Sequence, residues 1–400
     1  MKRYVIIGNG TAGASGAVQI REKDKEASIV IFTREKYPYY YRPRLPEYVS
    51  GTITQPSFTM HTLQQYKEWN MDLRLGEKVI AIDTAKKEVT GDRQGKVPYD
   101  ELLLAAGSGS FLPPVPGSGK AGVYTLRTID DAEALKAAAG KAKTAILVGG
   151  GLLGLEAGKA LVNLGLKVEV VEFMDRLLPR QLDTASAAIL QKQLEGMGFS
   201  FHLSAKVQEI TGGEAVTGLL LADGKRIEGG MVLFSAGVRP NLELARMAGL
   251  EIDKAVKVDQ YMRTSVEHIW AAGDVAEFGG QPCGLWTVAM AQGKAAGASM
   301  AGHLTPYLPK APSTTLKVAG IDLISAGDID AENSGCSKVC VSGSGYRKIV
   351  LQGDTIKGII FLGSTCGANE CIDAMNHSRH LGRILEEFGR EDFNFTTLKD

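Results

Sequence analysis

The sequence predicts an α/β chain with two doubly wound, three-layer dinucleotide-binding domains and a small α+β domain at its end, on three observations. An apolar strand runs into a glycine turn and a small-residue helix at Gly8-Asn9-Gly10-Thr11-Ala12-Gly13, and again at Gly149-Gly150-Gly151-Leu152-Leu153-Gly154. The two copies lie about 140 residues apart, and each is followed by a second strand, which implies a parallel sheet with a ligand at the carboxyl end of its first strand. From about Pro312 the pattern changes to alternating strands and a closing helix. Two dinucleotides are therefore expected.

The elements follow in order. Residues 4–7 read as the first strand, 14–23 as its helix and 28–32 as the next strand. An aromatic and proline-rich loop spans 37–46, strand-like alternation covers 79–89, and a strand over 101–105 reaches Gly107. Residues 113–117 (Pro-Pro-Val-Pro-Gly) form a linker. The second unit has strand 144–148, helix 155–164 and strand 167–172, then helix 184–197 and strands near 206–210, 215–221 and 231–234. Residues 269–275 form another strand reaching a glycine, followed by a small-residue helix over 288–300. The tail reads as strands over 316–324 and 348–362 and a helix near 370–387.

A length of 400 residues favours two or three domains over one. Apolar residues at 44% and charged residues at 22% are globular, and 48 glycines against 14 prolines fall largely into the turns above. Forty-five basic and 45 acidic side chains cancel, so no global field favours nucleic acid or a membrane surface. The opening apolar run is too short for a signal peptide. The most apolar window, 144–166, is interrupted by Glu156, Lys159, Asn163 and three glycines, so no membrane span is expected. Five cysteines, an odd count, favour reduced thiols in the cytoplasm.

In each hexad the first glycine (Gly8, Gly149) makes the tight turn, the second (Gly10, Gly151) admits a pyrophosphate, and the third (Gly13, Gly154) lets helix and strand pack. Phosphates then meet free N–H groups at the helix start, around Thr11 and Ala12 in the first copy and Leu153 in the second. A carboxylate at the end of the second strand would bond the adenosine ribose and repel a 2′-phosphate. Glu172 has that place in the second copy, which favours NADH over NADPH, although Arg176 and Arg180 lie nearby. The first copy has Thr33 there, with Glu35 two residues later.

With these hexads, three further segments resemble the FAD-dependent pyridine nucleotide-disulfide oxidoreductases from Lys2 to about Gly302, in the class without the redox disulfide. They are Tyr99-Asp100-Glu101-Leu102-Leu103-Leu104-Ala105-Ala106-Gly107, Ser235-Ala236-Gly237-Val238-Arg239-Pro240-Asn241 and Ile269-Trp270-Ala271-Ala272-Gly273-Asp274. The resemblance implies FAD at the first hexad and NADH at the second. It implies an FAD domain over 1–110 and 242–310, an NAD domain over 111–241 and a C-terminal α+β domain over 311–400 that often makes a homodimer contact. It places Glu156 beside the nicotinamide and Arg42 and Pro43 near the flavin, with an Arg42–Glu156 pairing, and gives the ribityl chain to Asp274. Arg127 is implied as a flavin contact, Lys317 at the flavin's pyrimidine end, and Val79, Ala106, Gly107, Gly237, Gly273 and Trp286 as further cofactor contacts. Hydride transfer needs reacting atoms held about 3–3.5 Å apart with water excluded.

No cysteine precedes Cys283, so a thiol half-reaction at the flavin is disfavoured and electrons are expected to leave the protein. The acceptors implied are a small carrier such as rubredoxin or ferredoxin, a quinone-like or nitrite-reducing partner, or oxygen. Glu47 stands where ferredoxin reductases usually have lysine. Leu316-Lys317-Val318-Ala319-Gly320, and Gly284-Leu285-Trp286 with Gln292-Gly293, are more similar to NADH:rubredoxin reductases and the flavin portion of nitrite reductases. The expectation is an NADH-dependent flavoprotein reductase of a small electron carrier. A peroxide-forming NADH oxidase and a redox-sensing interaction module are the alternatives. Cys336, Cys340, Cys366 and Cys371, even with His377 and His380, miss the usual zinc spacings, and no metal is expected.

Overall fold

The computed structural model describes residues 1–282, 284–309, 313–330, 332, 335–342, 345–382, 384, 387 and 393–398, without the side chains of 313–318, 336, 338, 340 and 342. Cys283 lies outside the described residues, as do the side chains of Lys317, Cys336 and Cys340. The chain divides into two compact units, one of residues 1–45, 53–110 and 237–309, the other of 46–52, 111–236 and 310–400.

The first unit is built on a parallel sheet in the order Ile269–Ala271, Glu101–Leu104, Arg3–Ile7, Ser28–Thr33, Met71–Leu75. Its central strands are apolar runs with both faces covered, and Val5, Ile6, Leu102, Leu103 and Leu104 have no exposure. Helices Thr11–Lys23 and Trp286–Met300 pack together so closely that a Cβ on Gly293 would lie 2.2 Å from the Ala12 carbonyl oxygen. The small-residue pattern of the later helix serves this contact. The alternation over 79–89 resolves into an antiparallel meander of Val79–Asp83, Glu88–Gly91 and Lys96–Pro98. Strand Val238–Pro240 pairs with Ser108–Ser110 and so belongs to this unit.

The second unit repeats the plan with the parallel order Phe199–His202, Lys167–Val171, Thr144–Val148, Met231–Phe234, Val123–Tyr124. Its closing region is an antiparallel sheet in the order Ser313–Val318, Ile321–Gly327, Thr355–Leu362, Gly345–Gln352, Cys336–Ser342. Two runs expected as single strands are therefore hairpins. The reversals fall at Ala319-Gly320, with φ of +52° and +92°, and at Gly353, with φ +62°. The last helix is Ala368–Asn376, shorter than expected, and Ser378 follows it with φ +48°. Helix Ile129–Ala139, absent from the sequence expectation, starts at a reciprocal capping box between Thr128 and Asp131.

Lys348 is fully buried in the tail sheet. Its ammonium lies 3.3 Å from Asp183 Oδ2 and donates to the Asp330 carbonyl at 2.7 Å. Asp183 also caps helix Thr184–Glu195 through the Ser186 N–H and accepts from the Tyr346 hydroxyl at 2.6 Å. The tail is thus tied to the second parallel sheet's helix by a buried charge whose partners are all supplied.

Candidate functional site

The first glycine turn has the geometry that a bound pyrophosphate requires. Gly8 has φ +108°, and a Cβ there would lie 2.1 Å from the Ala105 carbonyl oxygen. A Cβ on Gly13 would lie 1.8 Å from the Gly8 carbonyl oxygen. Only glycine satisfies these two positions. A Cβ on Gly10 would meet nothing within 4 Å, and Gly10 caps the helix without any side-chain bond. The helix therefore begins with open space before uncapped N–H groups, Thr11 and Ala12 among its first residues.

A cavity beside this turn is lined by Asn9, Gly10, Thr33, Glu35, Arg42 and residues 37–40. Asn9 Nδ2 is buried with no partner, while its Oδ1 accepts the Tyr66 hydroxyl at 2.8 Å. An orphaned donor, an open Gly10 and a helix start fit the phosphate and sugar oxygens of a dinucleotide such as FAD. The aromatic loop supplies the walls. Tyr39 donates to Thr11 Oγ1 at 3.3 Å and accepts from Trp286 Nε1 at 3.1 Å, and Trp286 meets Tyr41 edge-on.

Arg42 and Glu35 both line this cavity, and the Arg42 guanidinium pairs with Glu35 Oε1. Tyr40 closes the triangle, donating to Glu35 Oε2 at 2.6 Å and accepting from Arg42 Nη1 at 2.8 Å. The 3₁₀ turn Arg42–Arg44, with Pro43 near its start, returns the guanidinium to a carboxylate seven residues earlier. A half-buried cation gains from such a partner. Thr33 is buried and accepts the Glu35 N–H at 3.3 Å.

Several remaining first-unit positions lie just beyond the carboxyl ends of its parallel strands. Gly107 has φ +65° just beyond Glu101–Leu104, and Asn241 binds both the Ala106 carbonyl (2.8 Å) and the Gly107 carbonyl (3.0 Å). Gly273 has φ +81°, donates to Gln292 Oε1 at 2.9 Å and would bring a Cβ within 2.9 Å of the Ala12 Cβ. Asp274 accepts the Ser108 hydroxyl at 2.6 Å. The Gly273-Asp274 segment is therefore adjacent to the first turn. Val79 is buried at the start of the meander, and Gly237 precedes strand Val238–Pro240 with φ +92°.

The second turn repeats the geometry. Gly149 has φ +114° with a virtual Cβ 2.5 Å from the Ser235 carbonyl oxygen, Gly154 would place one 2.5 Å from the Gly149 carbonyl oxygen, and Gly151 is open. Glu172 is buried and bridges this turn to its own strand end, accepting the N–H of Gly150 at 2.5 Å and of Met174 at 2.8 Å. Around it Leu153 (53%), Phe173 (69%) and Met174 (42%) expose apolar surface, which suits an adenine ring.

Glu156, on the helix after this turn, accepts the Ala319 N–H at 3.1 Å. Burial raises its carboxyl above the ordinary value, the Ala319 N–H works against that, and the Glu47 charge adds to the rise. Arg127 stands ahead of helix Ile129–Ala139 with its N–H on Asp131. In the tail, Cys366 is exposed, whereas Cys371 is buried and its thiol is pushed up to about 12 by burial. His380 pairs with Asp354, and His377 lies against Asp373. Among the described residues no three His, Cys, Asp or Glu side chains gather to hold a metal, and no helix is long and apolar enough to cross a membrane.

Sequence reasoning quoted Asn9, Asn241, Gln292 and Ala319 inside its motifs without giving them a role, and did not single out Tyr39, Tyr40 or Ser108. Most of these act through a contact with a residue distant in the chain, and Tyr40 through a local hydroxyl contact with Glu35 and Arg42.

The comparisons agree with this geometry. The family described as Pyridine nucleotide-disulphide oxidoreductase matches residues 2–293, and the Rubredoxin NAD+ reductase C-terminal domain matches 312–379. A nitrite reductase [NAD(P)H] of Bacillus subtilis (strain 168) is 38% identical over 92% of this chain, which spans 46% of that protein. The chain thus spans about half or less of the first curated relatives it matches. An NADH-rubredoxin oxidoreductase of Clostridium acetobutylicum is 30% identical, with 96% of each chain covered. The crystal structure of NADH:rubredoxin oxidoreductase from that organism superposes with a TM-score of 0.82 at 28% identity, covering 96% of this chain and 97% of that one. The chain belongs to the pyridine nucleotide-disulphide oxidoreductase family, whose members use FAD and NADH.

Proposed function

We propose that this chain is an FAD-dependent NADH oxidoreductase that delivers electrons to a small carrier protein of the rubredoxin type. The observation that carries the reading is the two-way coverage with an NADH-rubredoxin oxidoreductase, which leaves neither chain with a large unmatched part. The tail match to a rubredoxin reductase C-terminal domain supports it. The overall balance is NADH plus two oxidised carriers giving NAD+, a proton and two reduced carriers.

In this reading the first turn holds FAD and the second holds NADH. Bound FAD supplies the conversion of a hydride into two single electrons. Gly10 admits the pyrophosphate to the helix N–H groups, Asn9 Nδ2 gains an acceptor, and Ser108 fixes Asp274 for the ribityl hydroxyls. The Arg42–Glu35–Tyr40 triangle holds the adenosine side of the first site, with Glu35 toward the ribose and Arg42 balancing its charge. Glu172 shapes the second turn and excludes a 2′-phosphate. Glu156, steadied by Ala319, is the carboxyl we assign to the nicotinamide side. A reducing, cytoplasmic setting and a homodimer belong to the same proposal.

Anaerobic stopped-flow mixing with NADH, followed by rubredoxin, ferredoxin or oxygen, tests the reading. Fast bleaching by NADH and faster recovery of colour with rubredoxin than with oxygen are expected; recovery led by oxygen would replace it with the oxidase reading. A second reading, an electron-transfer portion serving a nitrite-reducing centre, is favoured by the 38% identity to a nitrite reductase over less than half of that protein. It predicts poor turnover with every free carrier.

A further inference from the structure

We propose that Asp175 and Glu332 occupy the Arg176 guanidinium and so keep it from receiving a 2′-phosphate, which sets the preference of the second turn for NADH over NADPH. The inference rests on the proposed assignment of that turn to NADH.

Arg176 lies four residues beyond Glu172, in a loop that folds back onto the turn. Glu172 holds the N–H groups of Gly150 and Met174, and the Leu178 N–H donates to the Gly150 carbonyl at 3.3 Å. An arginine at such a place is the usual donor to a 2′-phosphate, because its planar fork matches phosphate oxygens in pairs. Here each of the two terminal nitrogens already faces a carboxylate. Nη1 lies 3.0 Å from Asp175 Oδ1 and Nη2 lies 2.9 Å from Glu332 Oε1, while Nε is buried without a partner. Arg176 is only 9% exposed, although Phe173 and Met174 just before it are open to solvent.

The charge count points the same way. The Arg176 guanidinium faces Asp175 and Glu332, and Glu172 stands at the strand end, so that even with the exposed Arg180 counted three carboxylates outnumber two guanidinium groups before an incoming phosphate dianion. Glu332 comes from the segment between strands Ile321–Gly327 and Cys336–Ser342. The tail domain thereby takes part in nucleotide selection. An exposed ion pair contributes little to stability. Its effect here is to neutralise the guanidinium and engage one donor on each terminal nitrogen, so that a 2′-phosphate must displace a carboxylate.

Calorimetric titration of the 400-residue chain with NAD+ and with NADP+ tests this. In the Asp175→Asn/Glu332→Gln variant the ratio of NADP+ to NAD+ dissociation constants should fall about tenfold, the size of one good charge-assisted contact. Glu332→Gln alone, at an exposed position, should move it in the same direction by less. Adding Arg176→Ala to the double variant should abolish the gain. A ratio that does not move while NAD+ still binds overturns the inference and leaves the NADH site standing. A gain that survives loss of Arg176 also overturns it, since relief of repulsion alone would then explain the change. Failure of the unmodified chain to bind either nucleotide overturns both the inference and the assignment of the second turn.

Discussion

Asp183 and Lys348 form an ion pair with both side chains fully out of solvent, 3.3 Å apart, joining the cap of helix Thr184–Glu195 to the tail sheet. Burial alone would raise the Asp183 carboxyl. The Ser186 and Tyr346 hydroxyls, the Ser186 N–H and the Lys348 charge outweigh it and hold the carboxyl below its ordinary value. A depressed carboxyl contributes stability that is present above its unfolded value and lost as pH falls through its folded value. Lys348→Met leaves the buried carboxylate without its cation and should cost about 3–5 kcal/mol, with acid unfolding moved to higher pH. Urea denaturation across the acid range measures both. A loss below about 1 kcal/mol, typical of an exposed pair, would contradict the fully buried geometry.

Gly10 and Gly13 differ in a way that separates binding from folding. A side chain on Gly13 collides with the Gly8 carbonyl, whereas one on Gly10 enters open space. Gly13→Val should therefore fail to give a stable fold. Gly10→Val should fold with the melting curve of the flavin-free parent chain yet purify without flavin colour, because its side chain fills the volume assigned to the pyrophosphate. Visible absorbance and circular dichroism on the same sample decide the matter. A yellow Gly10→Val protein would remove the first turn from the FAD site.

These two cases show what the sequence could and could not reveal. The glycine turns were legible because their requirement is local: a positive φ and a close backbone approach select glycine whatever surrounds them. The apolar strands beside them were legible for the same kind of reason. The Arg42–Glu35 pairing was not, since two charges seven residues apart in a loop carry no periodic signature. Neither was the Ala319 N–H on Glu156, a bond across 163 residues made by backbone and therefore independent of side-chain type. The hairpins at Ala319-Gly320 and Gly353 lie between apolar runs that read as continuous strands, although Gly353-Asp354 is a turn signal and a run of 15 residues exceeds the usual strand length.

Glu47 and Glu156 repel, and removing one charge should be felt by the other. Glu156 has a carboxyl raised first by burial and further by Glu47, against the Ala319 N–H. A raised carboxyl contributes stability that is complete below its unfolded value and lost as pH rises through its folded value. Glu47→Gln should lower the Glu156 titration point, and Glu156→Gln should remove that part of the pH dependence of stability. Carbon-13 NMR of labelled glutamate carboxyls across pH 3 to 8 follows the group without any turnover. An unmoved Glu156 titration in Glu47→Gln would show that the two charges are screened from one another.

Glu172 offers the sharpest test at the second turn because its two oxygens have separate tasks. One accepts from Gly150 and the other from Met174. In Glu172→Gln one oxygen becomes an NH2 group, and in either orientation of the amide a donor faces a backbone donor. That conflict should cost about 1–3 kcal/mol, paid where the turn must keep its shape, and the lost charge removes an acceptor for the ribose hydroxyls. NAD+ binding should weaken at least about tenfold, while flavin colour, which depends on the first turn, should persist. Titration calorimetry and the visible spectrum of one preparation report the two effects side by side. If NAD+ bound as tightly as before, Glu172 would be a strand-end brace with no part in nucleotide recognition.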